Sequence, residues 1–116
     1  MATVADLSRL ALALPEVEGE GLNFGVGNKA ICWAYLARAT PKAKREAVPG
    51  VVAIRCDLAS KDMLIEAAPE RFFDDDHYRG YPGVLVRLEA VDVAELQGLL
   101  DAAWRIQAPS RLARAG

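Results

Sequence analysis

The sequence predicts a two-layer α+β domain: an antiparallel sheet of about four strands with helices packed on one face. Three observations carry this. Apolar residues recur at helical spacing near both ends of the chain and once in the middle. Between them lie short runs rich in β-branched and aromatic residues, LNFGV, KAICWAYLA, VVAIRC and VLVRL. The first three runs are joined without a helix, and only antiparallel neighbours can be joined that way. The predicted order is helix, strand, strand, strand, helix, strand, helix, with the helices stacked on one side of the sheet.

Thr3 is placed to cap the first helix, and Asp6 puts a carboxylate where a helix N-terminus favours one. Leu7, Leu10, Ala11 and Leu14 form its apolar stripe, and Pro15 ends it by holding Leu14 extended. PEVEGEG follows as an acidic connector. Gly27-Asn28 supplies the positive φ angles of a tight turn between LNFGV and KAICWAYLA. Strict alternation then puts Ile31, Trp33 and Tyr35 on one face, and Cys32, Ala34 and Leu36 on the other. Residues 38–50, RATPKAKREAVPG, read as a loop with two prolines and four basic side chains against one acidic one. VVAIRC (51–56) is the third strand. A helix then starts near Asp57 or Ser60, with Leu64, Ile65 and Ala68 as its stripe and Pro69 as its stop. ERFFDDDHYRGYPG is an irregular connection to VLVRL (84–88). The last helix has Asp92 as cap and Glu95 at the third position, the pattern of a capping box, and buries Leu96, Leu99, Leu100, Ala103 and Trp104. Residues 109–116 form a short basic tail.

The 116 residues suit one domain spanning 1–116. At 53% hydrophobic and 26% charged, the composition excludes a disordered or collagen-like chain. No uncharged run approaches the ~18 residues of a membrane span. The N-terminus has no basic region ahead of its apolar stretch, so it reads poorly as a signal peptide. A cytoplasmic monomer or weak dimer with no membrane partner is expected. Cys32 and Cys56, with one His in the chain, exclude zinc-finger and C-x-x-C chemistry and read as reduced core thiols.

Several motifs together resemble the MmcQ/YjbR family. The most specific stretch is HYRGYPGVLVRL followed by VDVAELQGLLDAAWRIQAPSRL, residues 77–112. FGVGNKAICWAYL, PERFF and the proline-bearing basic loop before VVAIRC also fit, so the likeness covers nearly the whole chain. The resemblance implies a compact α/β fold with an antiparallel sheet, of the double-wing, DNA-binding-like kind, and a DNA-binding role. It supplies no catalytic residue set.

The residues themselves offer three candidate sites. Arg38, Lys42, Lys44 and Arg45 cluster in the loop, and with Glu46 leave it at a net +3. They can form a wing on phosphates, helped by Arg79 or by Arg105, Arg111 and Arg114, or a loop kept polar for solubility. Against the first reading stands the pI of about 5.4, far from the basic values of typical nucleic-acid binders. Trp33 and Tyr35 can share an outer sheet face with Arg55 and Arg87 as a stacking surface, or pack against the helices; the parity of Ile31 favours the helices. Asp74, Asp75 and Asp76 beside His77 read as a solvated acidic turn rather than a metal site, because neighbouring residues rarely all point inward. No nucleophile–base pair, P-loop or Gly-x-Ser-x-Gly is present, so no enzyme and no cofactor is expected. DNA is one expected partner. The alternative is a protein-interaction or adaptor module that offers the YRGYPG turn with Tyr78, Tyr81 and Pro82.

Overall fold

The computed structural model describes residues 1–38 and 40–111. The order is α1 (Val4–Leu12), β1 (Glu18–Glu20), β2 (Asn23–Val26), β3 (Lys29–Ala37), β4 (Glu46–Arg55), α2 (Leu58–Ala67), β5 (Phe72–Phe73), β6 (Gly83–Arg87), a 3-10 turn at Leu88–Ala90, and α3 (Val93–Gln107). One antiparallel sheet runs β1-β2-β3-β4-β6-β5. It has six strands, not the expected four. The additions are the two edges, β1 in the acidic connector and β5 in the irregular connection. β4 also starts five residues before VVAIRC, inside the expected loop. All three residues of β1 are exposed. Backbone pairing makes this strand, and no side-chain pattern announces it. Gly19 allows the close approach to β2, since a Cβ there would overlap the Asn23 carbonyl.

The helix ends follow their caps. At α1 the capping box is complete: Thr3 Oγ1 accepts from the Asp6 N–H at 3.1 Å, and the Asp6 carboxylate accepts from the Thr3 N–H at 3.0 Å. At α3 only half of it forms. Asp92 accepts from the Glu95 N–H at 2.7 Å, but the Glu95 carboxylate turns to Arg71 at 3.3 Å. Gly27 and Asn28 take the expected positive φ angles, 57° and 65°.

Two register shifts decide which side chains share a face. Phe24 lies opposite Cys32 while Gly25 lies opposite Ala30, so Ile31 is an extra residue in β3. At such a bulge alternation fails. Ile31 and Cys32 both enter the helix-side core, whereas Trp33 and Tyr35 pack in a separate cluster. Farther along, Ala34 pairs with Val52 but Leu36 pairs with Ala47. The extra residues of β4 include Pro49, which has no N–H to give the ladder, and Gly50 at φ 77°. Beyond this break, the described residues 38 and 40–45 form an irregular tip between the two strands.

The main core joins Leu7, Leu10 and Ala11 of α1 and Leu96, Leu100, Ala103 and Trp104 of α3 to Val52, Ile54, Val84 and Val86 of the sheet. Both cysteines are free and buried, and burial pushes the Cys32 thiol up to about 12 and the Cys56 thiol to about 11. The expected stripe of α2 does face this core, with Ala68 buried in it and Leu64 and Ile65 packed against it, but the same face also buries Lys61, 1% exposed.

Candidate nucleic-acid interface

The sheet face away from the helices is not bare. Tyr35, Val51, Ala53, Tyr78 and Leu85 form a second core with Trp33 and Phe73 against it. This overturns the expectation that Trp33 and Tyr35 pack against the helices. It also removes them as a stacking platform, because residues 74–82 lie over them. Trp33 Nε1–H donates to the Tyr78 hydroxyl at 2.8 Å, and the Tyr78 ring meets those of Tyr35 and Tyr81 edge-on, with centroids 5.8 and 5.6 Å away. Arg87 is likewise committed: its guanidinium lies 4.1 Å from the Phe73 ring centroid and donates to the Pro69 carbonyl at 3.2 Å.

The acidic turn is the clasp of this cover, and each carboxylate has a task. Asp74 lies 3.6 Å from Lys61 Nζ. Asp75 accepts from the Tyr35 hydroxyl at 2.5 Å and from the Tyr78 N–H at 2.9 Å. Asp76 holds Arg79 at 2.7 Å. Lys61 Nζ donates to the carbonyls of Tyr78 at 2.5 Å and Tyr81 at 3.0 Å, which pins the turn to α2. The sequence reading missed this lysine. Its signal was there, since residues 61, 64, 65 and 68 recur at i, i+3, i+4 and i+7 and so share one helix face.

The Tyr35–Asp75 pair makes the clasp pH-dependent. Burial, reinforced by the bond to Asp75, pushes the Tyr35 hydroxyl up to about 12. Burial also pushes Asp75 upward, but the bonds from Tyr35 and from the Tyr78 and His77 amides, with the His77 side chain nearby, together outweigh it and hold the carboxyl below its ordinary range. Tyr35 is favoured protonated in the fold. Its stabilising share is therefore complete below the ordinary tyrosine pKa of 10.0 and disappears as pH rises through about 12. Asp75 is favoured ionised, so its share is present above the ordinary carboxylate pKa and disappears as pH falls through its lowered value. Phenolate difference spectra should show one late-titrating tyrosine that Asp75→Asn shifts back toward 10; a wild-type titration with every tyrosine near 10 refutes the pair.

The predicted cations separate into two groups. Arg38, Lys42, Lys44 and Arg45 are exposed at the tip of the β3–β4 hairpin, and among the described residues none of them has a salt bridge. Arg38 donates to the Pro41 carbonyl at 3.2 Å and Arg45 to the Leu36 carbonyl at 3.4 Å, which steadies the tip without neutralising it. Arg38 and Arg45 share a shallow groove with Tyr35, Asp75, Asp76 and His77. Arg79 is held by Asp76 beside that groove. Arg111 is elsewhere, in a two-point contact with Glu16 at 3.1 Å on the connector before β1. Arg114 lies outside the described residues. No helix among the described residues is long and apolar enough to cross a membrane.

Comparison with known proteins agrees with this architecture. A crystal structure of Deinococcus radiodurans protein DR2400, described as a DUF419 domain, superposes with a TM-score of 0.58 over 91% of this chain and 78% of that one, at 20% identity. Curated relatives include uncharacterized proteins of Mycobacterium bovis and of two Mycobacterium tuberculosis strains. Each is 35% identical over 126 residues, covering 99% of this chain and 95% of theirs. The family model described as YjbR matches residues 12–106. With that match running from α1 into α3 and relatives similar along their whole length, the chain belongs to the YjbR family.

Proposed function

We propose that this protein binds nucleic acid by setting the tip of the β3–β4 hairpin against the phosphate backbone. The observation that carries this reading is the set of four cations, Arg38, Lys42, Lys44 and Arg45, exposed together at the hairpin tip and without a salt bridge among the described residues, with Lys42 and Lys44 clear of the groove that Arg38 and Arg45 share with Asp75 and Asp76. Every described residue from Leu36 to Gly50 is exposed or half-buried. A two-stranded ribbon of this kind fits a major groove. The tip holds no aromatic side chain to stack on bases and no Asn or Gln to read adenine, so recognition rests on its arginines and lysines, whose main contacts are to phosphates. The net charge of −2 opposes long-range attraction, so binding is local and weak at physiological salt. The adaptor reading has less to offer: Tyr78 is buried and its turn is occupied in covering the sheet.

Affinity for duplex DNA measured across a salt series tests this. About four phosphate contacts predict a log–log slope near −3.5, and Lys42→Ala with Lys44→Ala should flatten it by about 2. Arg111→Ala, at a cation already held by Glu16, should leave the slope unchanged. Absence of binding at low salt, or a slope indifferent to the two lysines, overturns the proposal.

A further inference from the structure

Among the described residues, two buried side-chain donors have no hydrogen-bond partner, Arg55 Nε and Arg71 Nε. Both residues line the same cavity, a cleft of about 450 Å³ between α2 and α3, at the opposite end of β4 from the hairpin tip. That volume lies within the range of small-molecule sites. The rest of the wall is mostly hydrocarbon, from Met63 and Leu64 of α2 to Leu99 and Ile106 of α3. Met63 and Ile106 are 70% and 43% exposed, an apolar rim with nothing packed on it. Gly98 widens the cleft, since a Cβ there meets no atom within 4 Å.

Charge decides what fits. Two carboxylates also line the cleft, and both are engaged. Asp57 caps α2 and accepts from the Ser60 N–H and hydroxyl at 2.8 Å each. Glu95 holds Arg71 at 3.3 Å, and the Glu70 carboxylate lies 3.6 Å from Arg71 Nε, beyond hydrogen-bond distance but close enough to balance its charge. Arg55 has no carboxylate partner among the described residues. The cleft is thus an apolar slot with one uncompensated cation in its wall. A partner helix laid into it through apolar side chains would seal that guanidinium and both orphan donors under hydrocarbon, which is costly.

We propose that the α2–α3 cleft binds a small amphiphilic acid, with its apolar body between Met63, Leu99 and Ile106 and its carboxylate on the guanidinium group of Arg55. A guanidinium pairs well with a carboxylate because its planar fork matches the two oxygens.

The probe is decanoate, kept below its micelle-forming concentration, with decanol and decylamine as neutral and cationic controls. Binding is followed by calorimetry and by the Met63 methyl resonance. Decanoate should bind saturably and at least tenfold more tightly than decanol, and decylamine should not bind. Arg55→Met should remove that preference while leaving decanol unaffected. Gly98→Phe, which grows into open space, should abolish decanoate binding with the circular dichroism unchanged. Equal affinity for decanoate and decanol in the wild-type protein, decanoate binding that survives Gly98→Phe, or no binding at all would each overturn the proposal. Binding of duplex DNA in the same samples should not respond to decanoate, so the cleft and the hairpin tip stand or fall separately.

Discussion

Replacing Lys61 with Met should lower the unfolding free energy by about 2–4 kcal/mol, because it removes two hydrogen bonds from a charged donor, each worth roughly 1.5–3 kcal/mol, while the Tyr78 and Tyr81 carbonyls keep their backbone donors, the N–H groups of Tyr81 and Gly83. The Lys61 ammonium has three acceptors, the carbonyls of Tyr78 and Tyr81 and the partly exposed carboxylate of Asp74. The ion pair is the weakest of the three, since it is longer and Asp74 retains solvent. The loss therefore comes from the two charge-assisted bonds to the carbonyls, and Asp74→Asn should cost much less. Methionine fills the space of the alkyl stem, so the variant tests the donor and not the packing. A urea midpoint lowered by more than about 1 M would register the effect, given a slope of roughly 1–3 kcal/mol per molar. A midpoint within error of wild type would mean that the turn holds without the lysine. Because the lysine grips residues 78 and 81, its removal should also loosen the cover over Trp33 and shift tryptophan fluorescence to the red.

Tyr78→Ala should cost about 3–5 kcal/mol, as expected for removal of a buried aromatic ring. Tyr78→Phe should cost only about 1 kcal/mol, the usual net worth of one hydrogen bond. The ring is the keystone of the second core: it touches Tyr35 and Tyr81, and its hydroxyl accepts from Trp33. Chemical denaturation of both variants separates packing from polarity, and equal losses would refute that division. Tyr78 contributes its carbonyl to Lys61 and its ring to the sheet. The double variant Lys61→Met with Tyr78→Ala should therefore lose less than the two single losses combined.

The elements legible in the sequence were those with a local signal. Thr3 with Asp6, Asp92 with Glu95, and Gly27-Asn28 mark ends and turns within four residues, and the stripes of α1 and α3 repeat at helical spacing. The family likeness was legible too, in the HYRGYPG and VDVAELQGLL stretches. What stayed hidden depends on partners distant in sequence. β1 exists because a neighbouring strand offers backbone groups, not because its side chains are buried, and β5, although it buries Phe72, is only two residues long and gives no alternating pattern. The extra residue at Ile31 is a property of the β2–β3 register, and assuming strict alternation sent Trp33 and Tyr35 to the wrong face. Lys61 was passed over because a charged residue on a helix is normally solvated; its acceptors lie 17 and 20 residues away. In the candidate interface, the clustering of Arg38, Lys42, Lys44 and Arg45 was visible from proximity in the chain. The pairing of Arg79 with Asp76 and of Arg111 with Glu16 required the fold.

The outermost strands set how this sheet meets other copies of itself. On one flank an incoming chain finds three rungs, with Glu18 and Glu20 on either side of Gly19; on the other it finds two. Open flanks are the usual nucleation sites for fibrillation, and brevity combined with like-sign repulsion is how natural sheets blunt them. The concentrated protein should therefore resist cross-β growth, and Glu18→Val with Glu20→Val is the change that would expose it.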